Sequence, residues 1–210
     1  VVFLTKESRM LPSSVAMGIP GVEFAPGDHV CVFYPSLAER DEILIPYLRA
    51  GMAAGDKCVC VVDSDEPAAV LAAFSPDVDR QQSGLGLEVL RSQDTYFSGG
   101  SFSSDAMLSF WDRTMSGALS EGFTFARIAG EMTWALRQLP GVSELVEYEA
   151  RLNLLLPQYP QVALCFYELD VFSGELLVDV LKTHPKVLIG GMVLDNPYYL
   201  APDEFLAMRS

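Results

Sequence analysis

Six short apolar runs recur along this chain: HVCVFY (29–34), CVCVVD (58–63), GLEVLR (86–91), FTFARI (123–128), VALCFYEL (162–169) and KVLIGGMVL (186–194). They are rich in β-branched and aromatic residues, have strand length, and are apolar at consecutive positions, so both of their faces must be covered. The stretches between them change to helical spacing. Ser36 and Glu39 form a capping box for a helix over 37–54, in which Pro46 predicts a kink or a broken hydrogen-bond ladder. Asp65-Glu66-Pro67 opens a short helix reaching Phe74, Met107, Leu108, Trp111, Met115 and Leu119 lie on a helix over 105–120, Ser143 is a plausible N-cap for the next, and 173–182 reads as another. SQDTYFSGGSFSSD reads as a long polar loop, Gly130 to Gly141 as a loop or short helix, and the last apolar run as one strand or a strand pair.

Strands alternating with helices predict an α/β fold: three layers, a mostly parallel sheet of about six strands, and helices on both faces. Residues 1–27, rich in Ser, Pro and Gly, read as a weakly structured lead-in, and 28–210 as the folded domain. Ligands of such sheets bind beyond the carboxyl ends of the strands. That places Tyr34 to Asp41, Asp63 to Glu66, Gln93 to Gly100, Gly130 to Trp134 and Tyr167 to Ser173 at the candidate edge.

The turn after the first strand, Tyr34-Pro35-Ser36-Leu37-Ala38-Glu39-Arg40-Asp41, has no glycine to close backbone N–H groups on a phosphate and no lysine to meet its charge. It reads either as an ordinary capped helix start or as a ligand contact. A nucleotide-dependent enzyme would have to recruit its cation elsewhere, from Arg40, Arg91 or Arg127. No G-x-S-x-G elbow is present, Ser101 lies in a loop, and the chain has two histidines, which argues against a catalytic triad.

Charge narrows the partners. Lys plus Arg total 14 against 28 for Asp plus Glu, a formal charge of -14, which disfavours direct binding to nucleic acid or anionic lipid. The four cysteines suit reduced core thiols and a cytoplasmic setting better than a disulfide framework. His29, Cys31, Cys58 and Cys60 form a weak metal alternative, on the premise that their two strands are neighbours. Cys165 joins them in that reading, with haem or redox sensing as further options. His184, at a helix C-terminus, is accounted for by the helix dipole.

RIAGEMTWAL (127–136), YEARLN (148–153), CFYELDVFSGELLVDVLKTHP (165–185) and NPYY (196–199), with the opening HVCVFY and RAGMAAGDKCVCVVD, resemble the MEDS sensory domain over roughly 27–202. The resemblance implies a RecA- or KaiC-like core whose phosphate loop is lost. It also implies sensing of a small organic molecule, with no cofactor and no catalysis. The implied output is a kinase, an anti-sigma or anti-anti-sigma protein, or a DNA-binding partner; no helix-turn-helix is recognisable in this chain. Base rates among oligomers point to a homodimer. The candidate ligand site comprises Tyr34, Glu39, Arg40, Asp63, Tyr96, Phe97, Arg127, Glu131, Trp134, Tyr167 and Asp170. The aromatic residues would wall it, with Tyr96, Phe97 and Phe102 as a lid hinged at Gly99-Gly100. Trp134 reads equally as core, and Glu131 as remnant base, ligand acceptor or ion-pair partner of Arg127 or Arg137. A protein-interaction module with no small ligand is the remaining reading.

Overall fold

The computed structural model describes residues 13–63, 67–74 and 86–209. Its elements are β1 (Val15–Ala16), β2 (Glu23–Phe24), β3 (His29–Tyr34), α1 (Leu37–Ala54), β4 (Lys57–Val62), α2 (Pro67–Ala72), β5 (Leu87–Arg91), α3 (Ser92–Thr95), α4 (Ser104–Ser120), β6 (Ala126–Glu131), α5 (Leu145–Leu155), β7 (Gln161–Glu168), α6 (Gly174–Thr183), β8 (Lys186–Ile189), β9 (Met192–Asp195) and α7 (Pro202–Ala207). A seven-stranded sheet runs β5-β4-β6-β7-β3-β8-β9, parallel except for β9, while β1 and β2 pair separately. The last apolar run is thus a strand pair, turned by Gly190 and Gly191 at positive φ as a two-residue hairpin requires.

Alternation within each strand divides the interior in two. Cys31, Val59, Val61, Ile128, Ala163, Cys165 and Tyr167 face α4, α5 and α6. Val30, Val32, Cys58, Cys60, Val162 and Leu164 face α1 and α2. These are the three layers expected from the pattern.

Several local expectations change. The Pro46 helix keeps one span from Leu37 to Ala54, with one ladder bond missing because proline has no N–H; the Ser36 hydroxyl caps it, accepting from the Glu39 N–H. Ser143 does not cap α5. It lies in a 3₁₀ turn over Val142–Glu144, and the Glu144 carboxylate accepts from the N–H of Ser104 at the start of α4. The fourth strand begins three residues later than expected, so Glu131 is its last residue. The lead-in reading also needs correction: residues 1–12 lie outside the described residues, but β1 and β2 follow, and Met17, Val22 and Phe24 are buried against α1. A Ser/Pro/Gly-rich composition hid the apolar triplet that docks this hairpin.

Helix α1 comes close to the sheet at Gly51. A Cβ there would lie 2.5 Å from both Arg127 Cδ and Cys58 Sγ. Gly51→Ala is expected to cost about 1–3 kcal/mol through overpacking, despite the better helix propensity of alanine, and chemical denaturation checks it.

Candidate functional site

The carboxyl edge of the sheet is filled by its own side chains. Arg40, in the first turns of α1, is buried and donates through Nη1 to Glu131 Oε1 at 3.1 Å. It also donates to Asp41 Oδ1 through Nε and Nη2, at 3.0 and 2.7 Å. The other Glu131 oxygen accepts from the N–H of Asp63 at 2.7 Å. The Asp63 carboxylate takes Ser92 Oγ and Arg137 Nη2 on one oxygen and Thr133 Oγ1, at 3.2 Å, on the other. Helix start, strand end and the turn after β6 are therefore tied into one polar latch. Glu131 pairs with neither Arg127 nor Arg137; its cation is Arg40.

Next to this latch, on the α4/α5 side, the aromatic residues form a stack. Trp134 is fully buried between Tyr96 and Phe102, at centroid distances of 4.6 and 4.7 Å, with Phe97 edge-on at 5.4 Å. Its Nε1 finds no hydrogen-bond partner. The stretch read as a long loop starts as α3, turns three rings inward and exposes the tip over residues 98–101 together with Gln93 and Asp94. The lid is seated. Behind it, a small apolar cavity of about 10 Å³, roughly the room of a single water, is lined by Tyr96, Trp111, Met132, Tyr148, Leu152 and Cys165. A shallower surface groove of about 330 Å³ runs between Ala135, Val142, Ser173 and Arg209.

Other candidate residues lie elsewhere. Tyr34 is on the opposite face of the sheet beside Phe166, its hydroxyl buried without a partner; burial raises its pKa. Glu39 is an exposed capping residue and Asp170 an exposed turn residue. Arg127 is the clearest correction. It is the second residue of β6, about 13 Å along the strand from Glu131. There it donates to Asp56 Oδ2 at 2.8 Å and to the carbonyls of Tyr47 and Ala16, and it covers the Tyr47 ring. Its role is to join α1, β6 and the β1–β2 hairpin. Arg91 is exposed at the end of β5.

The metal alternative is rearranged as well. Cys58 and Cys60 on β4 are separated from Cys31 on β3 by β6 and β7, about 14 Å, and face the opposite side of the sheet. Burial pushes the Cys58 and Cys60 thiols up to about 12. His29 instead meets Glu149 of α5, Cys165 of β7 and His184, all buried. The Glu149 carboxylate is stripped of water by burial, yet the hydrogen bond from His29 and the nearby imidazoles hold it below the usual range. Burial, then His29, depresses His184 to about 3, so the helix-dipole account of a cationic His184 does not hold. Sequence reasoning put His29 and Cys165 in one metal reading but left out Glu149 and His184; Glu149 and Asn153, four apart on one helix face, were the available signal.

Residues 28–185 match the family described as MEDS, the methanogen/methylotroph, DcmR sensory domain. The chain belongs to the MEDS family. A curated relative, the transcriptional repressor DcmR of Methylorubrum extorquens, is 29% identical over 172 residues, which cover 79% of this chain and 61% of the relative. The MEDS chain thus spans less than two thirds of that repressor. Among solved structures, a KaiC-like protein from Pyrococcus horikoshii OT3 superposes with a TM-score of 0.62 at 16% identity, over 86% of this chain and 81% of the other, which establishes a KaiC-like, RecA-type fold. The family match makes residues 28–185 a sensory domain. No helix among the described residues is long and apolar enough to cross a membrane.

Proposed function

We propose that this MEDS domain is a non-catalytic sensor that admits a small, weakly polar organic molecule beneath the Tyr96–Phe102 segment and relays its presence to a regulatory output partner. The observation that carries this reading is the latch. Arg40, the cation nearest the turn where a nucleotide phosphate would sit, is buried against Glu131 and Asp41. A phosphate arriving there would have to break a buried ion pair, which costs several kcal/mol. An apolar molecule faces a different balance. The cavity wall is aromatic and sulfur-rich, and the seated lid is held by ring stacking and ends in an exposed glycine tip. Lifting it would enlarge the cavity and disturb the surface over α3 and α4. Such a ligand acts only through its difference in affinity for the seated and lifted states.

Both tryptophans of the chain report on this region, Trp111 as cavity wall and Trp134 as the centre of the stack. Short-chain alcohols, ketones and halocarbons should be titrated while tryptophan emission and the unfolding midpoint are followed. The expected result is a saturable change in emission and a raised midpoint with one chemical class, and neither with Mg-ATP. Stabilisation and hydrolysis of Mg-ATP, lost in Arg40→Ala, would instead establish the enzyme reading. No response to the organic panel, together with specific capture of a regulatory partner, would favour the interaction module.

A further inference from the structure

We propose that His29, Glu149, Cys165 and His184 bind a divalent first-row transition-metal ion, with zinc the best fit to the donor set. These residues come from the start of β3, the middle of α5, the middle of β7 and the end of α6, and their donor atoms all lie within 4.8 Å of one another. Around a tetrahedral zinc with Zn–N and Zn–O near 2.0 Å and Zn–S near 2.3 Å, donor atoms stand about 3.3–3.8 Å apart. Four of the six separations fall close to this range, and the remaining pairs lie within 4.8 Å. His29 Nε2 is 3.2 Å from Glu149 Oε2 and 3.3 Å from Cys165 Sγ, His184 Nε2 is 3.5 Å from Glu149 Oε2, and Cys165 Sγ is 3.7 Å from the same oxygen.

The surrounding hydrogen bonds aim the lone pairs inward. Asn153 donates through Nδ2 to the carbonyls of Glu149, Ala150 and Thr183, so its Oδ1 is the acceptor facing His29 Nδ1 at 3.2 Å. With an ion bound, the His29 proton would sit on Nδ1 and Nε2 would ligate the metal, replacing its hydrogen bond to Glu149. The Val180 carbonyl, 2.8 Å from His184 Nδ1, accepts in the same way from the second imidazole. His184 Nε2 is then left fully buried, facing a carboxylate, with no hydrogen-bond partner. Tyr167 donates to the remaining Glu149 oxygen at 2.8 Å and sets the carboxylate orientation. Charge closes as well. A divalent ion with a carboxylate, a thiolate and two neutral imidazoles sums to zero, so the filled site carries no net charge into the core. Binding deprotonates Cys165, and that proton passes to solvent. Cys165 also lines the apolar cavity, so an ion here would have one ligand on the wall of the proposed sensory pocket. The metal proposal stands without that pocket.

Because the four ligands are buried, the ion would be captured as the chain folds. Tag-free protein should therefore be refolded under reducing conditions with Zn²⁺, or with Co²⁺ as the spectroscopic probe, then desalted and analysed for metal. Both histidines of the chain are in the cluster, so no other imidazole can supply the signal. The expected result is one ion retained per chain and, with Co²⁺, a thiolate-to-metal charge-transfer band together with intense tetrahedral d–d bands. Cys165→Ser should lose the charge-transfer band. Asn153→Ala, which frees the His29 ring but removes no ligand, should weaken affinity about 10–100-fold. Circular dichroism of each variant separates ligand loss from misfolding. Refolded wild-type protein that retains no stoichiometric metal and shows no charge-transfer band would overturn the proposal, leaving a hydrogen-bonded core network. So would metal binding unchanged in folded Cys165→Ser and His184→Gln.

Discussion

Trp134→Ala should destabilise the domain by about 3–5 kcal/mol, the usual cost of emptying a large aromatic site in a core. At this chain length that lowers the melting midpoint by roughly 6–20 °C. The reason is the position of the ring: it is fully buried, stacked on Tyr96 and Phe102, and touched edge-on by Phe97. Removing it leaves three aromatic rings without their common partner and loosens the whole 96–102 segment. Trp134→Phe gives the control. It keeps ring stacking and deletes an indole N–H that has no hydrogen-bond partner. The void is smaller and one unfavourable buried group disappears, so the loss should be less than half that of alanine. Thermal and denaturant unfolding of both variants would decide this, and equal losses would show that the stack does not hold the lid.

Arg127→Ala is the second large effect, also about 3–5 kcal/mol. One partner of a buried pair is lost and the other is left charged in the core. The Asp56 carboxylate would lose its 2.8 Å partner, and the carbonyls of Tyr47 and Ala16 would lose their donor. Arg127→Met combined with Asp56→Asn should recover part of this loss, because no unpaired charge remains; a double-mutant cycle measures the coupling. The Arg127 variant should also be cut sooner by limited proteolysis between residues 13 and 27, where the hairpin is tied to the sheet through Ala16.

The candidate site was legible in the sequence in unequal parts. Glu131 could be assigned to the carboxyl edge because it follows the apolar run FTFARI within three residues. Its partner could not: Arg40 precedes it by 91 positions, and only the crossover of α1 brings them together. Arg127 was misjudged by the three-residue shift of β6. The small residues of ARIAGE carry little strand propensity, yet Gly130 is what lets Tyr96 approach the sheet, since a Cβ there would meet its hydroxyl at 2.9 Å. Tyr34 and Tyr96 both read as edge aromatics, and strand parity put them on opposite faces.

The sequence by itself determined the layered α/β architecture, the boundaries of the main-sheet strands to within a few residues, the family, and the absence of a glycine-rich phosphate turn. These rest on local period, capping and composition, which short stretches encode directly. Tertiary structure alone decided which strands are neighbours. That order separates Cys31 from Cys58 and Cys60, sets His29 beside Cys165, and brings Glu149 and His184 over the same strands. It depends on how crossovers pack both sheet faces at once, a sum over distant contacts that no local pattern contains.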